Sequence, residues 1–351
     1  MDVLTPVARQ GAASVATPQA RGSLSVVVPV YNEAAVLPEL HRRLSAALDA
    51  LDAPAEIIYI DDGSRDESGV ILVDLHASDP RVALVALSRN FGKEVAMTAG
   101  IDHAQGDAVI VMDADLQDPP ELIADMVRAW REGADVVVMR RAFRANESWF
   151  KRTTAKAFYR VIGRLSEIDI PEDVGDFRLL SRSAVAAFRR LPERSRFMKG
   201  LFAWIGFPTR ELVYDRDGRF AGETKWNYWK LWNFALEGIT SFSAAPLKIA
   251  SYVGVLTALV AFTYGIFVIV DTLVYGNAVR GYPTLVVLVL FLGGLQLMAL
   301  GIIGEYLARM FVEVKQRPLY LVAQWSPASE PVMAGRVKAT DGPALSAPPR
   351  S

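Results

Sequence analysis

The chain has 351 residues, 52% of them hydrophobic, and a formal net charge of −1 at pH 7. A charge so close to zero argues against general nucleic-acid binding, which usually needs an excess of basic residues. The chain contains no cysteine, so disulfide bonds and thiolate chemistry are excluded.

Residues 1–22 form the first segment of the chain. They are rich in small residues and lack the apolar stretch of a secretory signal peptide. We therefore predict a disordered lead-in.

Five short apolar runs alternate with helix-like stretches between residues 24 and 139. The runs are LSVVVPV, EIIYI, VALVAL, AVIVM and DVVVM. Continuous runs of Val, Ile and Leu predict strands that are buried on both faces of a mostly parallel sheet, with helices on each side. The predicted fold class is therefore α/β and Rossmann-like. Ligands in such folds bind at the carboxyl ends of the strands.

Polar residues follow each of the first four runs, where a ligand would bind. They are Tyr31-Asn32-Glu33, Asp61-Asp62-Gly63-Ser64, Ser88 to Lys93, and Asp113-Ala114-Asp115. Asp61 and Asp62 could accept hydrogen bonds from a ribose or a base, or could form an ordinary Asp-Gly turn. The chain has no P-loop motif, and no G-x-G-x-x-G follows the first run, which argues against a P-loop nucleotidase and a dinucleotide-dependent dehydrogenase.

Four acidic residues crowd into VMDADLQDPPE, directly after the fourth run. If the segment is extended, Asp113 and Asp115 point the same way and can share a cation. Hard oxygen ligands favour Mg²⁺ or Mn²⁺, which complete their shell with water and substrate phosphates. Asp118 and Glu121 have the spacing of a capping box, so we predict that they start the next helix.

Residues 225–248 contain three tryptophans beside lysines, in KWNYWKLWNFALEGITSFS. Trp and Lys near an apolar span favour the membrane interface, so we predict interfacial helices at 225–248 after a catalytic domain at 23–224. An ordinary core helix is the alternative.

Two stretches of 22 residues, Ile249–Val270 and Pro283–Gly304, contain no charged residue. About 20 apolar residues cross a bilayer as a helix, so we predict membrane spans at about 249–274 and 283–307, with a pair of buried core helices as the alternative. Basic residues outnumber acidic ones on the flanks outside the loop between the spans, which predicts that the catalytic domain and the tail are cytoplasmic. Residues 309–325 are predicted to be an extended cytoplasmic segment, in which PLYLVAQ could add a strand across subunits. Residues 326–351 are predicted to be a disordered tail.

The ordered motifs VVVPVYNE, DDGSRD and DADLQDPPE resemble the family 2 inverting glycosyltransferases with a GT-A fold. SRNFGKE, VGDFRLLSR, ALEGITSFS and GEYLARM make the chain similar to the polyprenyl-phosphate glycosyltransferases, and most closely to bactoprenol glucosyltransferases of phages and bacteria. The resemblance covers residues 23–320. The Q-x-x-R-W motif of processive synthases is absent.

The resemblance implies transfer of a hexose, glucose from UDP-glucose in the first place, to a polyprenyl phosphate at the bacterial inner membrane. It also implies a role for each motif residue. Expected donor-binding residues are Pro29, Tyr31, Glu33, Asp61, Asp62, Asp113, Arg219 and Lys225. Expected acceptor-phosphate residues are Asn90, Lys93, Arg152 and Arg178. The expected catalytic residues are Asp115, Gln117, Asp176 and Arg178, and the metal ligands are Asp113 and Asp115.

Several alternatives stay open from the sequence. The donor could carry mannose, an N-acetylhexosamine or a formamido-arabinose, and Asp176 could be a base or a positioning residue. A catalytically silent membrane scaffold and a small transport accessory are alternatives of other classes. Glycines in the second span permit close helix packing, and the resemblance implies a homo-oligomer, possibly a tetramer.

Overall fold

The structure, a computed structural model, describes residues 22–141, 174–194, 196–214, 245–275, 281–330 and 332. Arg152, Arg219 and Lys225 lie outside these residues. So do the predicted lead-in, apart from its last residue, and the predicted interfacial segment as far as residue 244.

The described part of the chain contains one eight-stranded sheet in the order β7-β5-β6-β4-β1-β2-β3-β8. The strands are β1 (Leu24–Val30), β2 (Ala55–Asp61), β3 (Val82–Leu87), β4 (Ala108–Val111), β5 (Val136–Arg141), β6 (Val174–Ser181), β7 (Thr209–Tyr214) and β8 (Val322–Ser326). Strand β1 runs parallel to β2 and β4, β2 to β3, and β5 to β7. Strand β6 is antiparallel to β4 and β5, and β8 is antiparallel to β3. The predicted mostly parallel α/β sheet is confirmed.

Helices cover both faces of this sheet. In the described residues they are α1 (Leu37–Asp49), α2 (Ser68–Ser78), α3 (Lys93–His103), α4 (Ile123–Arg131), α5 (Arg182–Phe188), α6 (Met198–Trp204), α7 (Ala245–Tyr275) and α8 (Tyr282–Val314). Helices α1, α2 and α4 contribute to one core, and α3, α5 and α6 contribute to the other.

Strand β1 shows why the apolar runs are continuous. Val26 and Val28 lie in the first core, whereas Val27, between them, lies in the second. Successive side chains of a strand point to opposite faces, so a strand that is covered twice favours apolar residues at nearly every position.

The sheet brings two kinds of strand end to one edge. Strands β1 to β4 are joined by parallel pairings, so their carboxyl ends meet there. Strand β6 runs the other way, and its register pairs Arg178 with Val111. The beginning of β6 therefore lies beside the end of β4, and Asp176 comes close to the segment that starts at Asp113.

In the part of the chain that the structure describes, two helices are long and apolar enough to cross a membrane, over Leu247–Phe267 and Val287–Val314. They lie within α7 and α8, which have 31 and 33 residues. The predicted spans fall inside these helices. Helix α7 already begins at Ala245, so the end of the predicted interfacial segment belongs to it. Helix α8 continues to Val314, so an extended segment from residue 309 is wrong.

The segment after α8 returns to the catalytic sheet. The predicted β-prone stretch does contribute a strand, and β8 pairs with β3 of its own chain. Ala328 and Val332 are buried, and the Glu330 amide donates to the carbonyl oxygen of Pro80. The start of the tail is therefore packed on the sheet, where these apolar side chains are buried. The prediction of disorder from residue 326 is wrong for these residues.

Candidate active site

Hydrogen bonds tie together the loops that follow β1 and β2. The Asn32 amide donates to Ser64 Oγ over 3.1 Å, and the Glu33 amide donates to Ser68 Oγ over 2.9 Å. In return, Asn32 Oδ1 accepts from the Arg65 amide. Asn32 has a φ of +55°, a conformation that asparagine tolerates better than most residues. The predicted donor-binding motifs therefore form one hydrogen-bonded surface, with Pro29 half-buried and Tyr31 exposed.

The two acids after β2 make different contacts. Asp61 Oδ1 accepts from the Ser64 amide and closes the turn that the Asp-Gly sequence predicts. Asp62 is only 2% exposed. Its two oxygens accept from the amides of Phe91 and Gly92, over 2.7 and 2.9 Å. Burial raises the pKa of Asp62, and these two hydrogen bonds oppose the shift. Asp62 thus holds the loop after β3, while Asp61 lies closer to solvent.

Lys93 lies at the centre of the site. Its Nζ is 2.6 Å from Asp113 Oδ1 and 2.5 Å from Asp176 Oδ2. The lysine begins α3, whereas its partners come from the segment after β4 and from β6. The strand order therefore assembles an ammonium group between two carboxylates that are far apart in sequence.

The pKa values follow from this arrangement. Burial lowers the pKa of Lys93, but Asp113 and Asp176 outweigh it and raise the value above the ordinary lysine range. Burial raises the pKa of Asp176, yet Lys93 and Lys199 outweigh it and hold the value below the ordinary aspartate range. Burial dominates at Asp113, whose pKa is raised despite Lys93. Asp176 and Lys93 are therefore both charged at neutral pH.

The segment Asp113–Gln117 turns sharply. Asp115 Oδ1 accepts from the Gln117 amide over 3.1 Å, and Leu116, between them, has a φ of +56°. The expectation of an extended segment is therefore wrong from Ala114 onward, because the Asp115 side chain competes for backbone hydrogen bonds. A buried leucine in the left-handed region is strained, and such strain gathers at functional sites.

Arg178 is buried between β6 and α6. Its Nη2 donates to the carbonyl oxygen of Gly175 over 2.8 Å, and its guanidinium lies 4.1 Å from the centre of the Phe202 ring. Burial lowers the pKa of Arg178 to about 10, and Asp176 and Glu94 oppose the shift. Arg178 therefore stays charged at neutral pH. It lines a cavity of about 40 Å³ together with Lys199 and Phe202.

Glu94 and Lys199 belong to the same charged cluster but were not predicted as site residues. Burial and Asp176 raise the pKa of Glu94 to about 8, and Lys93, Lys199 and Arg178 oppose the shift. The sequence signal was available for Lys199, which is the single charge in the apolar stretch FMKGLFAW. Glu94 directly follows Lys93 in the sequence. Because α3 begins at the site with Lys93, Glu94 also lies in the charged cluster.

The capping box predicted for Asp118 and Glu121 is wrong. The 3₁₀ turn Pro120–Leu122 has Pro119 as its N-cap and no side-chain capping bond. Buried Asp118 instead accepts a hydrogen bond from the Tyr214 hydroxyl, and Glu121 forms an ion pair with Arg43. Both acids keep structural contacts, but with partners that are distant in sequence.

Asp113 and Asp115 remain the candidate ligands for a divalent cation. Among the described residues, no group of three or more His, Cys, Asp and Glu side chains is arranged to hold a metal ion. Mg²⁺ usually takes only one or two protein carboxylates and completes its shell with phosphates and water. Asp113 already contacts the Lys93 ammonium, so its surroundings accommodate positive charge. Binding of a divalent cation by Asp113 and Asp115 stays a prediction.

The structure thus joins some predicted residues and leaves others apart. Lys93, Asp113, Asp176 and Arg178 lie in one charged cluster. Asn90 is exposed, three residues before Lys93, and Gln117 lies in the Asp115 turn.

Sequence comparisons give consistent matches along the chain. Residues 25–188 match the family model described as Glycosyl transferase family 2, and residues 245–310 match the one described as GtrB C-terminal hairpin. Over 86% of its length the chain is 55% identical to an uncharacterized glycosyltransferase of Synechocystis sp., of which it covers 94%. Over 85% of its length it is 48% identical both to a prophage bactoprenol glucosyl transferase homolog of Escherichia coli and to the bactoprenol glucosyl transferase of Shigella phage SfII. It covers 98% and 97% of these two proteins.

Proposed function

The chain belongs to glycosyltransferase family 2, and from this premise we propose that it transfers a hexose to the phosphate of a membrane polyprenyl phosphate. Glucose from UDP-glucose is the proposed donor. The observation that carries the proposal is the combination, in one chain, of a charged cluster at the carboxyl edge of the sheet and two long apolar helices. Two relatives that are 48% identical to the chain are named as a bactoprenol glucosyl transferase and a homolog of one.

The proposed acceptor chemistry suits a site of cations rather than one with a strong base. A phosphate monoester has a second pKa of about 6, so it is largely dianionic at neutral pH and is already a nucleophile. One of its oxygens attacks the anomeric carbon as the bond to the nucleoside diphosphate breaks, which inverts the configuration. The site must hold two anionic groups in line against their mutual repulsion.

We assign Arg178 and Lys93 to this electrostatic task. Arg178 is charged, buried and held by Gly175 and Phe202, so it offers a fixed cation for the acceptor phosphate. Lys93 offers a second one next to Asp113. Asp176 has a pKa below the ordinary range, which makes it a weak base. We therefore propose that Asp176 positions Lys93.

The donor is proposed to lie along the loops after β1, β2 and β4. One oxygen of Asp61 accepts a hydrogen bond within the turn, and the other can accept one from the ribose or the base. Asp62 keeps the neighbouring loop in place. Asp113 and Asp115 would hold Mg²⁺ or Mn²⁺, which when bound neutralises charge on the leaving diphosphate. Arg219 and Lys225 lie outside the described residues and stay predictions for diphosphate binding.

We also propose that α7 and α8 span the inner membrane, with the catalytic domain and the tail in the cytoplasm. The side chains described in both candidate spans are largely exposed apolar residues, which suits contact with lipid. The enzyme would then act at the membrane surface, where the acceptor phosphate lies. Self-association through α8, up to a tetramer, stays a prediction.

A donor panel tests the transfer. The full chain in detergent would be offered polyprenyl phosphate, Mg²⁺ and one radiolabelled donor at a time, namely UDP-glucose, GDP-mannose or a UDP-N-acetylhexosamine. Label from UDP-glucose should enter the organic phase. Transfer from another donor alone would replace the glucose assignment, and transfer from none of them would contradict the proposed function.

A binding measurement tests the cation site without relying on turnover. UDP together with Mn²⁺ should raise the melting temperature of the wild-type protein, and Asp115→Asn should abolish most of that rise. Asp125→Asn is the matched control, because this acid lies on α4 and forms an ion pair with Arg128. An equal rise in all three proteins would contradict the cation assignment.

A further inference from the structure

The last turns of α8 differ from the rest of the helix. Glu305, Arg309 and Glu313 recur every four residues, so they lie along one face. Glu305 is the first charged residue after the uncharged stretch, and it accepts from Arg309 Nη2 over 3.1 Å. From Glu305 to Val314 the helix continues for about 15 Å at 1.5 Å per residue. This polar-striped end extends past the uncharged stretch that would fill the hydrocarbon core.

The polar-striped end of α8 contacts the catalytic domain at Arg194. The Arg194 amide donates to Glu313 Oε1 over 2.7 Å, and Arg194 Nη1 lies 3.8 Å from Glu313 Oε2. Arg194 Nε donates to the carbonyl oxygen of Arg317 over 2.8 Å. One arginine therefore contacts both the last turn of the helix and the backbone that follows it. We call these three residues the α8 junction.

The α8 junction is linked to the charged cluster through a short segment. Arg194 lies in the connection between α5 and α6, where buried Arg196 donates to the carbonyl oxygen of Leu191. Helix α6 follows at once and carries Phe202, whose ring packs against the Arg178 guanidinium. A displacement of the α8 junction would therefore move α6, a helix of seven residues, and with it the Phe202 ring that holds Arg178.

We propose that Arg194 is a positioning residue that sets the height of Arg178 above the membrane by holding α6 to the end of α8. This inference rests on the proposed function, since it concerns an acceptor phosphate that is anchored in the bilayer by its polyprenyl chain. A lipid phosphate cannot follow a displaced site, whereas a water-soluble phosphate can diffuse to it. A displaced site should therefore bind the bilayer-anchored phosphate more weakly than the water-soluble one.

Two acceptors of different solubility separate this role from general damage. Wild type, Arg194→Ala and Glu313→Ala would be reconstituted in vesicles and assayed with a long-chain polyprenyl phosphate and with a short-chain, water-soluble one. We expect KM for the long-chain acceptor to rise about three- to tenfold, as the loss of one partly exposed charged contact would allow. KM for the donor and the kinetics with the short-chain acceptor should stay at wild-type values. Arg128→Ala, which removes a surface charge on α4, is the matched control.

The outcomes distinguish this inference from the function beneath it. A wild type that glycosylates neither acceptor would contradict the proposed function. A wild type that uses both, with an Arg194→Ala variant that loses both equally or neither, would overturn only the positioning role. Arg194→Lys, which keeps the charge, should recover part of the long-chain KM. Hydrogen exchange gives a readout without turnover: amides of α6 should exchange faster in Arg194→Ala than in Arg128→Ala, and equal rates would also overturn the role.

Discussion

Replacing Lys93 with methionine removes the charge between two carboxylates while it keeps a side chain of similar length. Lys93 Nζ lies 2.6 Å from Asp113 Oδ1 and 2.5 Å from Asp176 Oδ2, so those oxygens are at most about 5 Å apart. Two unit charges at about 5 Å repel by about 3 kcal/mol at an effective dielectric constant of about 20. The Lys93 side chain is 44% exposed, so water screens part of this repulsion, and we expect a loss of about 2 kcal/mol at pH 8.

The loss of stability in Lys93→Met should depend on pH. Without the ammonium group, the folded-state pKa of the Asp113–Asp176 pair rises above the unfolded aspartate value of about 3.9. The folded state then binds a proton more tightly than the unfolded state does. The deficit is therefore full at pH 8 and shrinks as the pH falls through the raised pKa of the pair; the rest is lost only as the pH falls through the lowered pKa of wild-type Asp176.

Thermal unfolding of the full chain in detergent, at pH 5 and pH 8, measures this effect. For a catalytic domain of this size, a loss of about 2 kcal/mol lowers the melting temperature by about 4–8 °C. Lys93→Met/Asp176→Asn removes one of the repelling charges and should recover most of the loss, and Lys93→Arg should lose less. An equal decrease at both pH values, or a double variant no more stable than Lys93→Met, would refute the charge argument.

Three further substitutions test the loops and the buried acid. Asp62→Asn leaves one amide of the loop after β3 without its acceptor, so the free energy of unfolding should fall by about 1–3 kcal/mol; an unchanged melting temperature would contradict the loop-holding role. Gly63→Ala places a methyl group 2.6 Å from backbone of that loop at a φ of +68°, so its melting temperature should fall more than that of Gly133→Ala, where φ is +103° and the methyl group meets open space. Tyr214→Phe removes a hydrogen bond to buried Asp118 and should cost about 1–3 kcal/mol in chemical denaturation without changing KM for the donor; a change in KM alone would point to the site instead.

Local patterns predicted the strands well where burial is uniform. The bounds of β1 and β3 coincide with the apolar runs, because both faces are covered and the polar Ser25 of β1 is buried with Glu56 as its hydrogen-bond partner. Strand β6 was harder to recognise, since Asp176 and Arg178 lie within it. Their charges are accommodated by partners from elsewhere in the chain.

The errors at Asp118 and Glu121 share a physical cause, which is competition from distant partners. Asp118 has the local signature of a helix cap, but Tyr214, 96 positions further on, takes its carboxylate. Helix α8 is an exception, since it continues beyond the predicted span near a local i,i+4 ion pair between Glu305 and Arg309. The role of Lys93 at a phosphate stays a prediction, but its contacts with Asp113 and Asp176, which lie 20 and 83 positions away, were not foreseen. No local pattern reports such pairings.

The pairing of β8 with β3 has a consequence for the order of events during synthesis. Leu84 pairs with Ser326, so the ribosome must make both long apolar helices before the sheet can acquire this edge strand. Until then β3 presents unpaired backbone groups, which can pair with another nascent chain. The sheet is therefore completed only after both apolar helices have been made and inserted. Delayed insertion would prolong the interval in which the edge of β3 is open to aggregation.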